Sequence, residues 1–264
     1  MSSDVELKPQ VYKDPRPAEF FAPYHDRVRD HRPEWIYEVV RMATMANALI
    51  LFRARAYGSE HVPNGPVILA PNHASFMDHF FTAIFLRRHV QFMAKSQMFG
   101  AGPLSWIYNH GGVFPVRRGH ADEDAFTTAF AVLRRDGVIG MYCEGGRTRT
   151  GAMADQAKPG IGRLAVQSGA PVVPVAILGS HQVRNWKRLH FPKVVVEYGL
   201  PLRFEPVEDP SREAQQEAAD LILSRIKALH TALSERHGAR PPKDPSVDRA
   251  TVEPAHADPH QRAD

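Results

Sequence analysis

Two residues that can act together as a general base, His73 and Asp78, stand five positions apart where an apolar run gives way to a helical pattern. Imidazole has a pKa near 6.5, so His73 can take a proton from a hydroxyl group at neutral pH when a carboxylate fixes its tautomer. On one regular helix, positions five apart lie about 140° around the axis and cannot meet. The pair therefore requires a bend in the chain between its two members.

Ser75 and Asp78 also allow a second interpretation of this segment. They fit the S-x-x-D form of a capping box, with Asp78 at the third position of a helix that begins near Ser75. His73 would then be an ordinary loop residue. The segment alone leaves both interpretations open.

A glycine pair at Gly145 and Gly146, flanked by Glu144 and Arg147, is the second candidate site. The glycines let the backbone turn tightly and bring N–H groups close to a ligand, which suits a phosphate. Arg118 and Arg147 could hold that phosphate through charge-assisted hydrogen bonds. A solvent-exposed turn is the other interpretation of this run.

The elements that must position these residues alternate between strand-like and helix-like patterns. Strand-like apolar runs cover residues 67–70, 90–94, 112–116, 138–143, 172–178 and 194–198. Helix-like runs cover residues 76–87, 122–135, 161–167 and 213–233. This alternation predicts a single α/β domain with a mixed, largely parallel sheet flanked by helices, preceded by an N-terminal amphipathic helix.

The candidate residues follow three of these strands. His73 comes after the first, Arg117 and Arg118 after the third, and the Glu144–Arg147 run after the fourth. Ligands of open α/β sheets gather at the carboxyl ends of strands. This convergence favours the general-base interpretation over capping alone.

The charge distribution indicates an anionic partner. Residues 79–121 hold five Lys or Arg and no Asp or Glu, and residues 145–196 hold eight against one, although the net charge is only +4. A basic middle of this kind favours an anionic small molecule or an anionic membrane surface. Nucleic acid is not expected, because no helix-turn-helix, zinc-finger or RNP-like aromatic pattern accompanies the charge.

A membrane contact is predicted at residues 35–52, which are mostly apolar but include Glu38 and Arg41. A span needs about 20 apolar residues, and a central arginine costs roughly 2.5–3.5 kcal/mol, so we expect no transmembrane helix. A helix lying in the headgroup layer and a helix packed on the sheet both remain open. No signal peptide is recognised, which predicts a peripheral protein on the cytoplasmic side of the cell membrane.

The ordered motifs resemble the 1-acylglycerol-3-phosphate acyltransferases and related glycerolipid acyltransferases. Residues 72–78 (N-H-A-S-F-M-D) match the family's NHxSxxD motif in full, and residues 112–118 (G-V-F-P-V-R-R) resemble its second block. Residues 144–148 (E-G-G-R-T) and 158–160 (K-P-G) resemble the third, and residues 173–175 (V-P-V) the fourth. Two positions depart from the third block, since Cys143 replaces a proline and Gly146 a threonine.

The resemblance implies transfer of an acyl chain from acyl-CoA or acyl-carrier protein to a hydroxyl group of 1-acylglycerol 3-phosphate, another lysolipid or glycerol 3-phosphate. His73 would be the base, and Asp78 would orient it. The residues implied to bind the acceptor phosphate are Arg118, Glu144, Gly145, Gly146, Arg147 and Lys158. No cofactor is expected beyond the acyl donor.

With this resemblance the chain divides into four predicted parts. They are an extended segment at 1–33, an interfacial or packing helix at 34–55, a glycerolipid acyltransferase domain at 56–236 and a disordered tail at 237–264. The tail residues His256 and His260 have metal-like spacing but no companion ligands, so no metal site is predicted.

Three other functions are considered. Residues 160–165 fit the dinucleotide fingerprint G-x-G-x-x-A, but no strand pattern precedes them. Cys143, the single cysteine, could be a nucleophile activated by His73, although a packing role suits its strand better. A non-catalytic membrane-surface protein would use the same basic face for adhesion only.

Overall fold

Seven strands run through the described parts of the chain, which are residues 14–118, 122–148, 152–183 and 191–237 of a computed structural model. They are β1 (Arg55–Tyr57), β2 (Val67–Pro71), β3 (Val90–Lys95), β4 (Phe114–Val116), β5 (Val138–Gly140), β6 (Val172–Leu178) and β7 (Val195–Tyr198). They form one sheet in the order β1-β7-β6-β2-β5-β3-β4. Only β6 and β7 pair antiparallel among the described strands, so the predicted mixed, largely parallel sheet is confirmed.

Helices cover both faces of this sheet. They are α1 (Ala22–Asp30), α2 (Trp35–Ile50), α3 (Asp78–Ala83), α4 (Pro103–His110), α5 (Glu123–Arg134), α6 (Pro159–Ser168) and α7 (Arg212–Arg236). Successive strand residues point to opposite faces, so Ile68 packs with α5, α6 and α7 while Val67 and Leu69 pack with α2 and α3. Strands buried on both faces explain the continuous apolar runs of the sequence.

The prediction that residues 1–33 form an extended segment is wrong for its described part, which contains helices. Residues 1–13 lie outside the described part, but Ala18–Phe21 is a 3-10 helix and α1 follows it. Pro23 lies in the first turn of α1, where the missing N–H is tolerated. Phe21 and Val28 are buried, so apolar contact with the domain stabilises a helix that the proline content concealed.

The elements adjoining the candidate site also differ from expectation. The helix predicted over residues 76–87 is limited to Asp78–Ala83, because residues 72–77 form the turn that follows β2. The strand predicted over residues 138–143 ends at Gly140, which leaves Cys143 in a loop. Strand β1 and helix α4 were not predicted.

Helix α2 occupies most of the predicted interfacial or packing segment. Within the described residues no helix is both long and apolar enough to cross a membrane. The same residues contain no cluster of three or more potential metal-ligating His, Cys, Asp or Glu side chains. Most of the tail predicted to be disordered, residues 238–264, is outside the described part of the chain.

Candidate active site

The carboxyl ends of the central parallel strands bring the candidate residues to one edge of the sheet. His73, Arg118 and Arg147 line a single cavity of about 370 Å³ there. These residues follow β2, β4 and β5, and Lys95 at the end of β3 joins them on the wall. The convergence expected from the strand ends is therefore present for these side chains.

The histidine and the carboxylate meet across the turn between β2 and α3. The Nδ1 atom of His73 lies 2.9 Å from Oδ2 of Asp78, which is the first residue of α3. A carboxylate accepts only, so Nδ1 carries the hydrogen and Nε2 is left with a lone pair. Nε2 forms no hydrogen bond with the described part of the chain and can accept a proton from a ligand.

Asp78 also holds the turn itself. Its Oδ2 atom accepts hydrogen bonds from the backbone N–H groups of Ala74 and Ser75, both at 2.7 Å, and the residue is fully buried. The Ser75 hydroxyl accepts from Met77 N–H rather than from Asp78 N–H, so the predicted capping box forms only in part. Capping the turn and orienting His73 are thus two roles of one carboxylate.

The backbone of His73 is bound on both sides by the loop that follows β5. Its N–H donates to Oε1 of Glu144 at 2.9 Å, and its carbonyl oxygen accepts from Thr148 N–H at 3.0 Å. Burial raises the pKa of Glu144 to about 7, although backbone N–H groups of His73 and Ala154 oppose the shift. Glu144 is absent from the cavity wall, so it acts on the site by holding the backbone of His73.

The glycines and Lys158 support the loop rather than line the cavity. Gly145 has a φ of +65°, which favours glycine, and a Cβ atom there would lie 3.0 Å from Cγ of Lys158. Lys158 is exposed, and its N–H donates to the Cys143 carbonyl oxygen at 2.8 Å. Gly145, Gly146 and Lys158 are absent from the cavity wall, whereas Arg147 is part of it.

Asn72 and Tyr142 complete the support of His73, and sequence reasoning gave neither a role. The Asn72 amide accepts from Ile177 N–H at 2.7 Å and donates to the Ile177 carbonyl oxygen at 3.1 Å, which ties the turn to β6. The Tyr142 ring stacks on the imidazole with centroids 3.8 Å apart. Asn72 was detectable from its place in the motif, but no local signal identifies Tyr142.

The electrostatics favour an unprotonated histidine. Burial lowers the pKa of His73, the Asp78 carboxylate opposes that shift, and the positive charges of Arg147 and Arg118 add to it. The ring is therefore neutral at neutral pH, which is the form a general base requires. Burial similarly lowers the pKa of His79, a second histidine on the wall, to about 4.

The remaining wall is largely apolar. Its described side chains include Phe76, Phe92, Met93, Met98, Tyr108 and Val113. A cavity that has apolar side chains, two arginines and an oriented imidazole suits a ligand with a hydrocarbon part and an anionic part.

Two alternative chemistries lose support. Cys143 is 1% exposed, and burial raises the pKa of its thiol well above the ordinary value, so the thiolate that a nucleophile needs is disfavoured. The G-x-G-x-x-A run lies in α6, and the described residues 152–158 before it contain no strand. The dinucleotide fingerprint therefore lacks its strand in that described stretch.

Comparison with known proteins agrees with this geometry. A family model described as Acyltransferase matches residues 53–178, a range that includes every candidate residue from His73 to Lys158. This stretch therefore resembles the acyltransferase family. The matched range ends at the last residue of β6, so it includes the strands whose carboxyl ends form the cavity.

Two curated plant proteins are similar to part of this chain. A chloroplastic 1-acyl-sn-glycerol-3-phosphate acyltransferase of Brassica napus is 22% identical over 157 residues, which are 58% of this chain and 45% of that protein. A 1-acyl-sn-glycerol-3-phosphate acyltransferase of Cocos nucifera is 27% identical over 157 residues, 58% of this chain and 50% of that protein. The chain thus spans about half the length of these relatives.

A solved structure shares the fold. The crystal structure of the 1-acyl-sn-glycerophosphate acyltransferase PlsC from Thermotoga maritima aligns with a TM-score of 0.52 at 20% identity. The alignment covers 80% of this chain and 88% of that one. The chain therefore has an α/β architecture similar to that of PlsC.

Proposed function

We propose that the chain is an O-acyltransferase that moves a fatty acyl group from acyl-CoA or acyl-carrier protein to the hydroxyl group of 1-acylglycerol 3-phosphate, forming phosphatidic acid. The observation that carries this proposal is the 2.9 Å contact between His73 and Asp78 on the wall of a cavity that also holds Arg118 and Arg147. The acyltransferase names of the relatives support the reaction class.

In the proposed reaction Nε2 of His73 takes the proton of the acceptor hydroxyl group as its oxygen attacks the thioester carbonyl carbon. The Asp78 carboxylate stabilises the imidazolium that forms, since Nδ1–H already donates to it. The new C–O bond forms, the C–S bond breaks, and its electron pair leaves with sulfur. The proton held by His73 then passes to the thiolate.

The arginines and the apolar side chains of the cavity wall would bind different parts of the substrates. Arg118 and Arg147 would bind the acceptor phosphate through charge-assisted hydrogen bonds. Phe76, Phe92 and Met98 would contact hydrocarbon. Phe76 is 46% exposed, which places an apolar side chain between the cavity and its surroundings.

We infer a peripheral position on the cytoplasmic side of an anionic membrane, and the exposed apolar residues of helix α2 support the peripheral attachment. Trp35, Val39, Met42 and Leu49 recur at helical spacing and are exposed, whereas Ile36 and Ala48 are buried. The exposed face of this helix fits the interfacial interpretation, and the buried face fits the packing interpretation. Docking through this exposed apolar face would keep the protein at the bilayer, so a single-chain lipid could enter without full extraction, which costs about 0.8 kcal/mol per methylene group withdrawn.

The test of the proposal is an acceptor survey with purified full-length protein. Acyl-CoA is supplied with 1-acylglycerol 3-phosphate, glycerol 3-phosphate or another lysolipid, and free thiol release is followed together with the lipid product. Stoichiometric thiol and phosphatidic acid support the proposal. A different preferred acceptor would change the substrate, and lipid binding without thiol release from any donor would indicate a non-catalytic membrane-surface protein.

Replacing Arg118 by alanine is predicted to raise the KM for a phosphate-bearing acceptor at least about tenfold, because a charge-assisted contact is lost in both ground and transition states. An acceptor without phosphate should be affected less. The neighbouring Arg117→Ala is a matched control, since Arg117 pairs with Asp122 and is absent from the wall. An equal rise in KM for both acceptors would show that Arg118 does not bind the phosphate.

Membrane attachment is predicted to be reversible and strengthened by anionic lipid. Deleting α2 would remove buried side chains such as Ala48, so substitution of exposed residues is the better test. Met42→Glu with Leu49→Glu should abolish flotation with phosphatidylglycerol vesicles at low salt, because charges enter the apolar face. Leu221→Glu, on the exposed face of α7, should leave flotation unchanged. Full-length protein that never floats would contradict the prediction.

A further inference from the structure

A second cavity, of about 240 Å³, lies at the opposite edge of the sheet from the candidate active site. Gln91, the second residue of β3, and Val138, the first residue of β5, are part of its wall. Strand β3 begins at this cavity and ends with Lys95 at the other one. The two cavities share no lining residue, so the second one is a separate site.

Positive charge dominates the wall of this cavity. Its ionisable side chains are Arg32, Arg87, Arg88, His89, Arg135 and Asp136. No ion pair joins any of the four arginines to a carboxylate in the described part of the chain. Asp136 is exposed, and the nearby Glu38 is already bound by Arg41 and His89.

Two of the arginines are fixed in place by uncharged oxygen atoms. Arg88 donates to the Pro63 carbonyl oxygen at 2.7 Å and to those of Gly65 and Asp136. Arg135 donates to the carbonyl oxygens of Val28 and Arg29 at the end of α1, at 2.6 and 2.7 Å. Carbonyl oxygens orient these guanidinium groups without neutralising them.

The other two arginines retain donors that a ligand can use. Arg32 makes one long contact, 3.4 Å to the Arg135 carbonyl oxygen, and Arg87 makes no hydrogen bond with the described residues. Burial lowers the pKa of Arg88, and the negative charge of Asp136 opposes that shift. Burial also lowers the pKa of Arg135, the charge of Arg32 adds to the shift, and Asp30 opposes it. The crowded positive charges would be stabilised by a bound anion.

We propose that this cavity binds a phosphate group, held by Arg32 and Arg87 against the fixed pair Arg88 and Arg135. Its volume is below the roughly 300–1,000 Å³ of sites for drug-sized ligands, so it suits a phosphate group rather than a whole nucleotide. The group is either a free phosphate or a lipid headgroup. A headgroup is in reach because Pro33 on the wall lies two residues before α2.

The experiment compares the wild-type protein with the double variant Arg32→Ala/Arg87→Ala. The control is Arg203→Ala/Arg225→Ala, which removes the same amount of charge from two exposed positions elsewhere. Inorganic phosphate is titrated by calorimetry at constant ionic strength. Binding to phosphatidylglycerol vesicles is measured in parallel. Melting curves verify folding, and Arg118→Ala reports any phosphate bound in the candidate active site.

We expect the Arg32/Arg87 variant to lose at least about tenfold in affinity for inorganic phosphate or for the vesicles, and the control to change little. A loss with inorganic phosphate identifies a free-phosphate site, and a loss confined to vesicles identifies a headgroup site. Unchanged affinity in both assays, or an equal loss in the control, would overturn the proposal. Acyl transfer in detergent is expected to continue in the Arg32/Arg87 variant, so this test is independent of the proposed catalytic function.

Discussion

Replacement of His73 by alanine is expected to lower kcat for acyl transfer by about 10²–10⁴, the usual contribution of general base catalysis. His73 lines the cavity and Asp78 holds its Nδ1 atom, so Nε2 is the nitrogen left to accept the proton. Folding should be retained, because the turn is held by Asp78 and Asn72 rather than by the His73 side chain. Thiol release and circular dichroism measure the two effects.

The pH dependence provides an independent check on His73. Its pKa is lowered by burial, so the unprotonated base persists to below the ordinary value of about 6.5, and kcat/KM should fall only in more acidic solution. The acidic limb should disappear in the His73→Ala protein. Near-normal turnover of that variant, or an unchanged limb, would disprove the assignment of the base.

Substitutions of Asp78 are expected to separate charge from hydrogen bonding. Asp78→Asn keeps an oxygen that can accept from His73, Ala74 and Ser75, but it removes the charge that stabilises the imidazolium, so kcat should fall by about 10²–10⁴. Asp78→Ala also leaves two backbone N–H groups without their acceptor. It should cost at least about 3 kcal/mol, since each bond to a charged group contributes roughly 1.5–3 kcal/mol.

Thermal unfolding of the Asp78→Ala protein measures this loss of stability, which corresponds to a melting midpoint lower by about 6 °C or more. Asp122→Asn is the matched control, because Asp122 is also buried and accepts a backbone N–H, that of Arg117 at 2.6 Å, but is absent from the cavity wall. It should lower stability and spare turnover. If Asp78→Ala did the same, capping alone would explain the carboxylate.

Most of the sheet could be predicted because parallel strands buried on both faces leave long apolar runs. β2 and β6 show this, and their carboxyl ends then follow from the alternation with helices. β1 is a three-residue strand at the end of the sheet with no buried residue, so it leaves no apolar run in the sequence. α1 was missed because Pro23 and the prolines that flank the helix are typical of an extended segment, although the buried side chains of Phe21 and Val28 hold this part of the chain on the domain.

The candidate site was predictable only where contacts are local. His73 and Asp78 are close in sequence, so their spacing and the need for a bend were visible in advance. The contact between His73 and Glu144 joins residues 71 positions apart, and the stacking of Tyr142 on the imidazole depends on the neighbouring strand. Such contacts follow from strand order and register, which the sequence pattern does not specify.

The loop at residues 144–148 is hydrogen-bonded to both peptide groups of His73, and this limits how acceptor selectivity could be engineered. Selectivity for the acceptor headgroup would ordinarily be altered by redesigning this loop, since Arg147 lies on it. The same redesign would displace the base, because the N–H and carbonyl groups of His73 are hydrogen-bonded to that loop. If Arg147 and Arg118 bind the acceptor phosphate as proposed, headgroup preference and turnover are coupled through this loop, and new specificity is better introduced through Arg118, which follows a different strand.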